Sequence, residues 1–457
     1  MSLHEKIAPG EGARICLDLG TAMSKATVLL DSAHPTDVAP LPIGAAAGAD
    51  HPLLTPSAMY VDEDRITFGP AAMKRAETGV AKRRNPIVSF KLVLSAREIE
   101  ATLALKLSRT VDPTSTLTHR DGIVLYLAYL DQLIRAAVAS EPSLPAPIAD
   151  APRRLTSPHW QSFEEASRIV GGLVEEASVV SMDLGVALLS QDGVPMPQVK
   201  QALVRAKGAQ GRGHFDGIVF ESQSAASAYA NFARATAPYV LVIDMGAGTT
   251  DIAGFQRDAS VAQSGLIEIT EARQCCMLAG DELDNILIDL FARRAGKRGL
   301  AEEDRLWRGV KLAARSLKQE LFQKGKSVFK YRNARISLTR DALENDPSFR
   351  AYCRALTATI AASLAPLAVA AKKGHADAIT VLLAGGGSNL PFLADLVRAA
   401  AVKEKVKLPL KVERFGANWQ LPHRHHPFAG VFPQLAIAMG GALAPVVRVP
   451  ARAPEMI

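Results

Sequence analysis

The chain has 457 residues, 48% hydrophobic and 22% charged, which excludes a disordered polymer and is long enough for two lobes with separate cores. Its formal charge of +7 is spread along the length and densest at KRAETGVAKRRNP (74–86), a solvated helix face rather than a nucleic-acid surface. Cys16, Cys275, Cys276 and Cys353 lack metal spacing, the first fourteen residues hold no signal-peptide core, and no uninterrupted apolar window of ~18 residues stands out, so a reduced, cytoplasmic chain with no membrane and no specific nucleic-acid partner is expected.

In chain order, RICLDLGTAMSKATVLL (14–30) reads as a β-hairpin with an acid, Asp18, at the end of its first strand and a glycine turn after it. SAMYV (57–61) and RITFG (65–69) predict another hairpin, followed by a helix over 70–84 with Pro70 at its start. Apolar residues at helical spacing predict a helix over 121–139. A proline-rich break (141–152) then leads to a short strand and a helix at FEEASRIVGGLVEEA.

The second half opens with a strand at FDGIVF (215–220) and a helix over 222–235. VLVIDMGAGTTDIAGF (240–255) then repeats the amino-terminal design, with Asp244 in the place of Asp18. Helices are predicted at 280–296, 301–322 and 347–372, two strands near 326–338, and a closing helix at PQLAIAMGGALAPV. At 378–400 a buried strand meets three glycines that open a helix with Pro391 in its first turn. Segments 95–119 and 403–432 look like insertions, where partners bind. HRHHPF (423–428) reads as a solvated loop, because neighbouring histidines converge poorly on one metal ion.

Two strand-end acids beside glycine turns suit a nucleotide with magnesium. The glycines let main-chain N–H groups approach phosphate oxygens, and magnesium keeps its waters and needs only one or two carboxylates. A single Asp-Gly turn is usually only a turn. Two copies and an AGGGS run in order make the cleft reading much stronger.

The series LDLGT, FESQSAASAYA, VIDMGAGTTD, LAGDELDN and LLAGGGSNLP resembles the actin and heat-shock-chaperone ATPase superfamily, and within it the ATPase domain of the heat shock protein 70 (DnaK-like) family, from about residue 14 to residue 445. SFKLVL (89–94), RLTSPHWQSFEEASRIVGGL (154–173) and LKQEL (317–321) support that branch. The resemblance implies an α/β chain of actin-like ATPase fold, in which each lobe is built on a ribonuclease-H-like mixed sheet flanked by helices. A tail (1–13) would precede lobe I (14–235). Lobe II (236–445) would include a nucleotide-capping subdomain at about 280–345, and a second tail (446–457) would follow.

Carried across by position, the resemblance implies these roles. Gly20, Thr21 and Ala22 form the first phosphate turn; Asp18 and Asp244 hold Mg2+ through water; Lys91 and Glu221 serve the γ-phosphate and the attacking water. Gly246, Ala247, Gly248 and Thr249 form the second phosphate turn, supported by Asp251. Gly280 and Lys318 lie by the ribose and base, and Gly385, Gly386 and Gly387 close on the adenosine of ATP. The sequence departs from the family at Ala22 and Ala247, and in the base pocket at Arg315, Gln319 and Asn389, so weakened adenine binding is expected. No segment is left to fold as the chaperones' client-binding part. The expected role is therefore a nucleotide-dependent switch read by a partner protein, with an actin-like filament-forming ATPase as the alternative. A small-molecule kinase would need an acceptor pocket that the sequence does not display.

Overall fold

A computed structural model of the chain describes residues 12–31, 37–79, 83–94, 96, 98–157, 163–209, 214–233, 236–258, 265–297, 304–416, 419, 430–443 and 447–448. The amino-terminal hairpin forms as expected. Strand β1 (Arg14–Leu19) pairs antiparallel with β2 (Met23–Leu29), and Leu19 opposite Ser24 sets Asp18 opposite Lys25. Strand β3 (Val38–Pro40) continues antiparallel on β2. On the other side of β1, β4 (Arg153–Ser157) and β5 (Phe215–Phe220) add in parallel, giving the order β3-β2-β1-β4-β5.

The second sheet repeats this connectivity. Strands β6 (Tyr239–Met245), β7 (Thr250–Arg257) and β8 (Leu266–Cys276) run antiparallel in succession, and β9 (Ile379–Ala384) and β10 (Leu410–Arg414) add in parallel beside β6, so the order is β10-β9-β6-β7-β8. Three antiparallel strands and two parallel ones, twice over, make two ribonuclease-H-like sheets. The helices supply the long crossovers that parallel neighbours require.

Helix α1 (His119–Ser140) runs through the first-lobe core; Thr118 caps it, accepting from the Asp121 N–H while Asp121 accepts from Thr118. Helix α2 (Phe163–Leu184) links β4 to β5, and α3 (Glu221–Phe232) follows β5 directly. In the second lobe α4 (Gly280–Arg294) and α5 (Arg305–Lys324, capped by Asp304) sit above the sheet with the hairpin Lys326–Tyr331/Ala334–Thr339, and α6 (Pro347–Lys373) and α7 (Leu393–Lys403) flank it.

The closing helix α8 (Phe432–Ala442) follows β10 of the second sheet yet packs on α3 and on β1, β2 and β4 of the first, although the sequence division assigns it to lobe II. Glycine makes this possible, because a Cβ on Gly440 would stand 1.7 Å from the Ser224 carbonyl oxygen and one on Gly441 2.6 Å from Cys16 Sγ. Cys16 and Leu29 of the first lobe, Val240 and Leu382 of the second, and Leu435 and Met439 of α8 share one apolar core.

Several expectations change. The segment 403–432 is not simply an insertion, because its residues Leu410–Arg414 are the edge strand β10, with Ile379 opposite Leu410. The glycine run forms a 3-10 turn (Gly386–Asn389), and α7 begins at Leu393, after Pro391 rather than around it. Strands β3 and β8 have no counterpart among the predicted elements. Two helices, α1 and α6, are long and apolar enough to cross a membrane by length and composition; 83% of the most apolar window of α1 and 33% of that of α6 is buried. HRHHPF (423–428) lies outside the described residues.

Candidate active site

The two hairpin turns meet between the lobes. A Cβ on Gly248 would lie 2.7 Å from the Thr21 hydroxyl oxygen and 3.1 Å from Leu92, so the second turn presses directly on the first. In neither turn do the three central N–H groups, of Gly20, Thr21 and Ala22 or of Ala247, Gly248 and Thr249, donate to a backbone carbonyl among the described residues. Four of these residues, Gly20, Thr21, Ala22 and Ala247, line the cleft between the lobes, so their main-chain donors stand beside it without a backbone acceptor. Gly20 is needed for space rather than for unusual torsion angles, because a Cβ there would stand 2.4 Å from the Met23 carbonyl oxygen. Ala247 keeps a negative φ, so alanine serves where the family has glycine.

These turns line a cleft of about 590 Å³. Its wall brings together Asp18, Lys91, Glu221 and Asp244 with Gly20, Thr21, Ala22, Gly246, Ala247, Gly280, Lys318 and Gly385 to Gly387, as the sequence groups them. Gly248 and Thr249 are not in that wall; Gly248 backs onto Thr21, and the Thr249 side chain is buried. Gly385 has a φ of +73°, and a Cβ there would stand 2.3 Å from Asp244 Oδ1, so only glycine fits. Its N–H donates to the Pro433 carbonyl (3.0 Å), fastening the glycine run to the start of α8. Lys318 donates to the Gly280 carbonyl (3.0 Å) and pairs with Asp284 (2.8 Å), tying α5 to α4.

Lys91 stands on a five-residue helix, Phe90–Leu94, that is positioned by its neighbour: the Phe90 ring stacks on Tyr126 of α1, centroids 4.3 Å apart. That anchor turns Lys91 inward to an ion pair with Glu221, the first residue of α3, and both side chains are buried. Lys25, which is not among the residues the motifs single out, completes the set. It pairs with Asp18 at 2.5 Å, while the Thr156 hydroxyl donates to the other Asp18 oxygen at 3.1 Å. Its signal was present in the hairpin register, since the residue opposite an acid across a turn can be counted off once the closing pair is known.

At the buried inner end the charges do not balance: Asp18, Glu221, Asp244 and, behind the wall, Asp251 outnumber Lys25 and Lys91 by two, while the outer wall carries Arg315, Lys318 and Arg414 against Asp281 and Asp284. Burial, reinforced by the neighbouring acids and opposed by Lys91, pushes the Glu221 carboxyl up to about 8 and that of Asp244 up to about 7. Burial also works against the Lys91 ammonium, but the surrounding carboxylates, Glu221 foremost, overcome it and hold its pKa above the usual lysine value. Asp251 Oδ2 is buried with no hydrogen-bond partner. A hydrated divalent cation fits this surplus. A hydrated magnesium ion would meet Asp244 here, since Asp18 is already engaged by Lys25.

At the mouth of the cleft, Leu312 of α5 packs on the first-lobe patch of Ala58, Tyr60, Ala72 and Ala76, and the pKa of His51 is lowered by burial and then by Arg315 of the opposite lobe. The departures from the family's base pocket, Arg315, Gln319 and Asn389, all lie in the cleft wall, together with Phe322, Gln323, Leu390 and Arg414. None of these last four is among the sequence-derived candidates.

No curated protein matches the chain. The family model described as Hsp70 protein matches residues 214–408, from the start of β5 through α7. That stretch supplies the second phosphate turn, the capping helices and the glycine run, and on it the chain carries an Hsp70-family nucleotide-binding ATPase domain of actin-like fold.

Proposed function

We propose that the chain binds ATP with magnesium in the interlobe cleft, hydrolyses it slowly, and presents its open and closed states to a partner protein. The observation that carries this reading is the meeting of two glycine turns with uncommitted N–H groups beside a surplus of two carboxylates. The N–H groups of both turns bind phosphate oxygens. Lys91 faces the terminal phosphate, where its charge, sustained by the surrounding acids, counts most as negative charge shifts to the bridging oxygen. Glu221, held at the start of α3 beside Lys91, orients the attacking water and, in its ionised form, takes its proton. Asp244 would hold magnesium through its waters, and the ion would supply neutralising charge to the phosphate oxygens. No side chain need form a covalent intermediate.

Because the turns come from different lobes, a nucleotide touching both favours the closed arrangement, and loss of the terminal phosphate weakens that preference. The test is affinity capture from cell extract with the chain held in ATP or in ADP, alongside sedimentation in both nucleotides. A partner retained in one nucleotide state and released in the other is expected. Capture indifferent to nucleotide would end the switch reading, and ATP-dependent pelleting would favour a filament.

A further inference from the structure

The end of the cleft away from the carboxylates is built differently from a site that grips adenine between cations. Helix α5 turns Arg315, Lys318, Gln319, Phe322 and Gln323 toward the cleft, at the i, i+3, i+4, i+7, i+8 spacing of a single face. Phe322 is the one aromatic ring in the wall among the described residues. Two neighbours fix it: the Phe392 ring lies 5.8 Å away, tilted by 49°, and the Arg340 guanidinium carbon lies 6.0 Å from the Phe322 centroid. A half-buried ring fixed by its neighbours and bordering a cleft is a ready surface for a flat heterocycle.

The polar groups around it do not discriminate between purines. Gln319, Gln323 and Asn389 are amides, and each presents a donor and an acceptor. An amide can therefore face the amino group and ring nitrogen of adenine or, turned over, the carbonyl and N–H of guanine. The acids nearest this end have lysine neighbours, Lys318 at 2.8 Å from Asp284 and Lys311 at 3.9 Å from Asp281. Among the described residues at this end of the wall, each acid thus has a lysine within 4 Å that competes for the carboxylate guanine's two adjacent donors would need.

Resting on the nucleotide reading above, we propose that Phe322 is the stacking platform for the base and that this amide-lined pocket accepts either purine. Stacking on an aromatic ring changes affinity by a factor of about ten or more per base, and the larger purine surface gains most from it.

The test is calorimetric titration of the whole chain with ATP, GTP, CTP and inorganic tripolyphosphate, repeated with Phe322→Leu, which keeps apolar bulk against Phe392, and with Phe322→Trp. Expected are ATP and GTP affinities within about tenfold of each other and CTP weaker than both. Phe322→Leu should weaken both purines by about tenfold and leave tripolyphosphate unchanged. In Phe322→Trp, purine binding should quench the new indole fluorescence. Unchanged purine affinity in Phe322→Leu with a cooperative melt, or a preference for ATP over GTP of a hundredfold or more, would overturn the proposal. If neither tripolyphosphate nor any nucleotide binds the natural chain, the nucleotide reading itself falls and takes this one with it, whereas binding of tripolyphosphate without a purine advantage overturns only the platform.

Discussion

The hairpins β1–β2 and β6–β7 place an acid at the same point, one residue before the strand end, but the residue facing it across the ladder differs. Asp18 faces Lys25, and Asp244 faces Asp251. Opposite charges directly across an antiparallel pair stabilise it, and like charges do the reverse. The acid of the first hairpin is therefore neutralised within the hairpin itself. The second carries a charge debt within its own lobe, and the nearest remedies lie across the cleft in Lys91 or in solution as a metal ion. One half of a duplicated architecture has become self-sufficient while the other depends on what enters between them.

This contrast can be broken at several points. The largest effect is expected at Lys91, the cation that reaches across from the first lobe. Lys91→Ala should lower single-turnover hydrolysis by about a hundredfold or more, as loss of a charge-stabilising donor does elsewhere, with a much smaller change in ATP affinity measured by titration. Equal losses in both would make Lys91 a ground-state contact.

Within the first hairpin the expected effect is on folding. Lys25→Met strands Asp18 in a buried site and should cost about 3 kcal/mol in urea unfolding. Lys25→Met combined with Asp18→Asn removes both charges and should recover most of that loss. If the double variant is no more stable than the single one, the pair is not what neutralises this hairpin.

Metal dependence should separate the two acids. Asp244→Asn is expected to reduce magnesium-dependent hydrolysis at least tenfold, about 1.4 kcal/mol of barrier, and to raise the magnesium concentration needed for half activity. Asp18→Asn should change that concentration less, because Lys25 already occupies the carboxylate. Identical magnesium titrations for the two variants would erase the distinction.

The smallest effect concerns pH. Glu221 and Asp244 are raised to about 8 and about 7, above the ordinary carboxylate value of about 4, so the folded chain retains protons that the unfolded chain has released. Without nucleotide or metal, stability should therefore fall as pH climbs from about 4 toward 8 and level off above it. Magnesium, which competes with those protons, should bind more tightly over the upper part of the same range. Melting curves at pH 5.5, 7 and 8.5 test this, and Asp244→Asn should flatten the profile.

The two sheets were legible in the sequence where they are most buried. The apolar strand, the acid and the glycine turn occur together in β1–β2 and β6–β7, and helix boundaries such as those of α1 and α4 fall within a few residues of the periodic pattern. Strand β10 was hidden because an edge strand covered on only one side need not be apolar; its residues, LKVER, alternate charge with hydrophobicity and resemble a surface loop. Most of the site residues line one cleft because they stand at the ends of regular elements, whereas Gly248 and Thr249 lie outside its wall and Lys318 projects from within α5. Lys25 escaped notice because its meaning depends on register, and Phe322 because one apolar residue on an amphipathic helix looks like any other until the helix is docked.

Helix α8 has a consequence that is mechanical. It is fastened to the second lobe by the Gly385 N–H at Pro433 and rests on the first through Gly440 and Gly441, whose missing side chains let it lie flat against Ser224 and Cys16. Around that close approach the side chains interlock: Leu435 and Met439 lie in the core shared with Cys16 and Leu29, and Phe432 stands edge-on to Phe232 of α3, ring centroids 6.4 Å apart. The helix is therefore keyed to one lobe and pinned to the other, a brace whose pinned end is the glycine run at Gly385–Gly387.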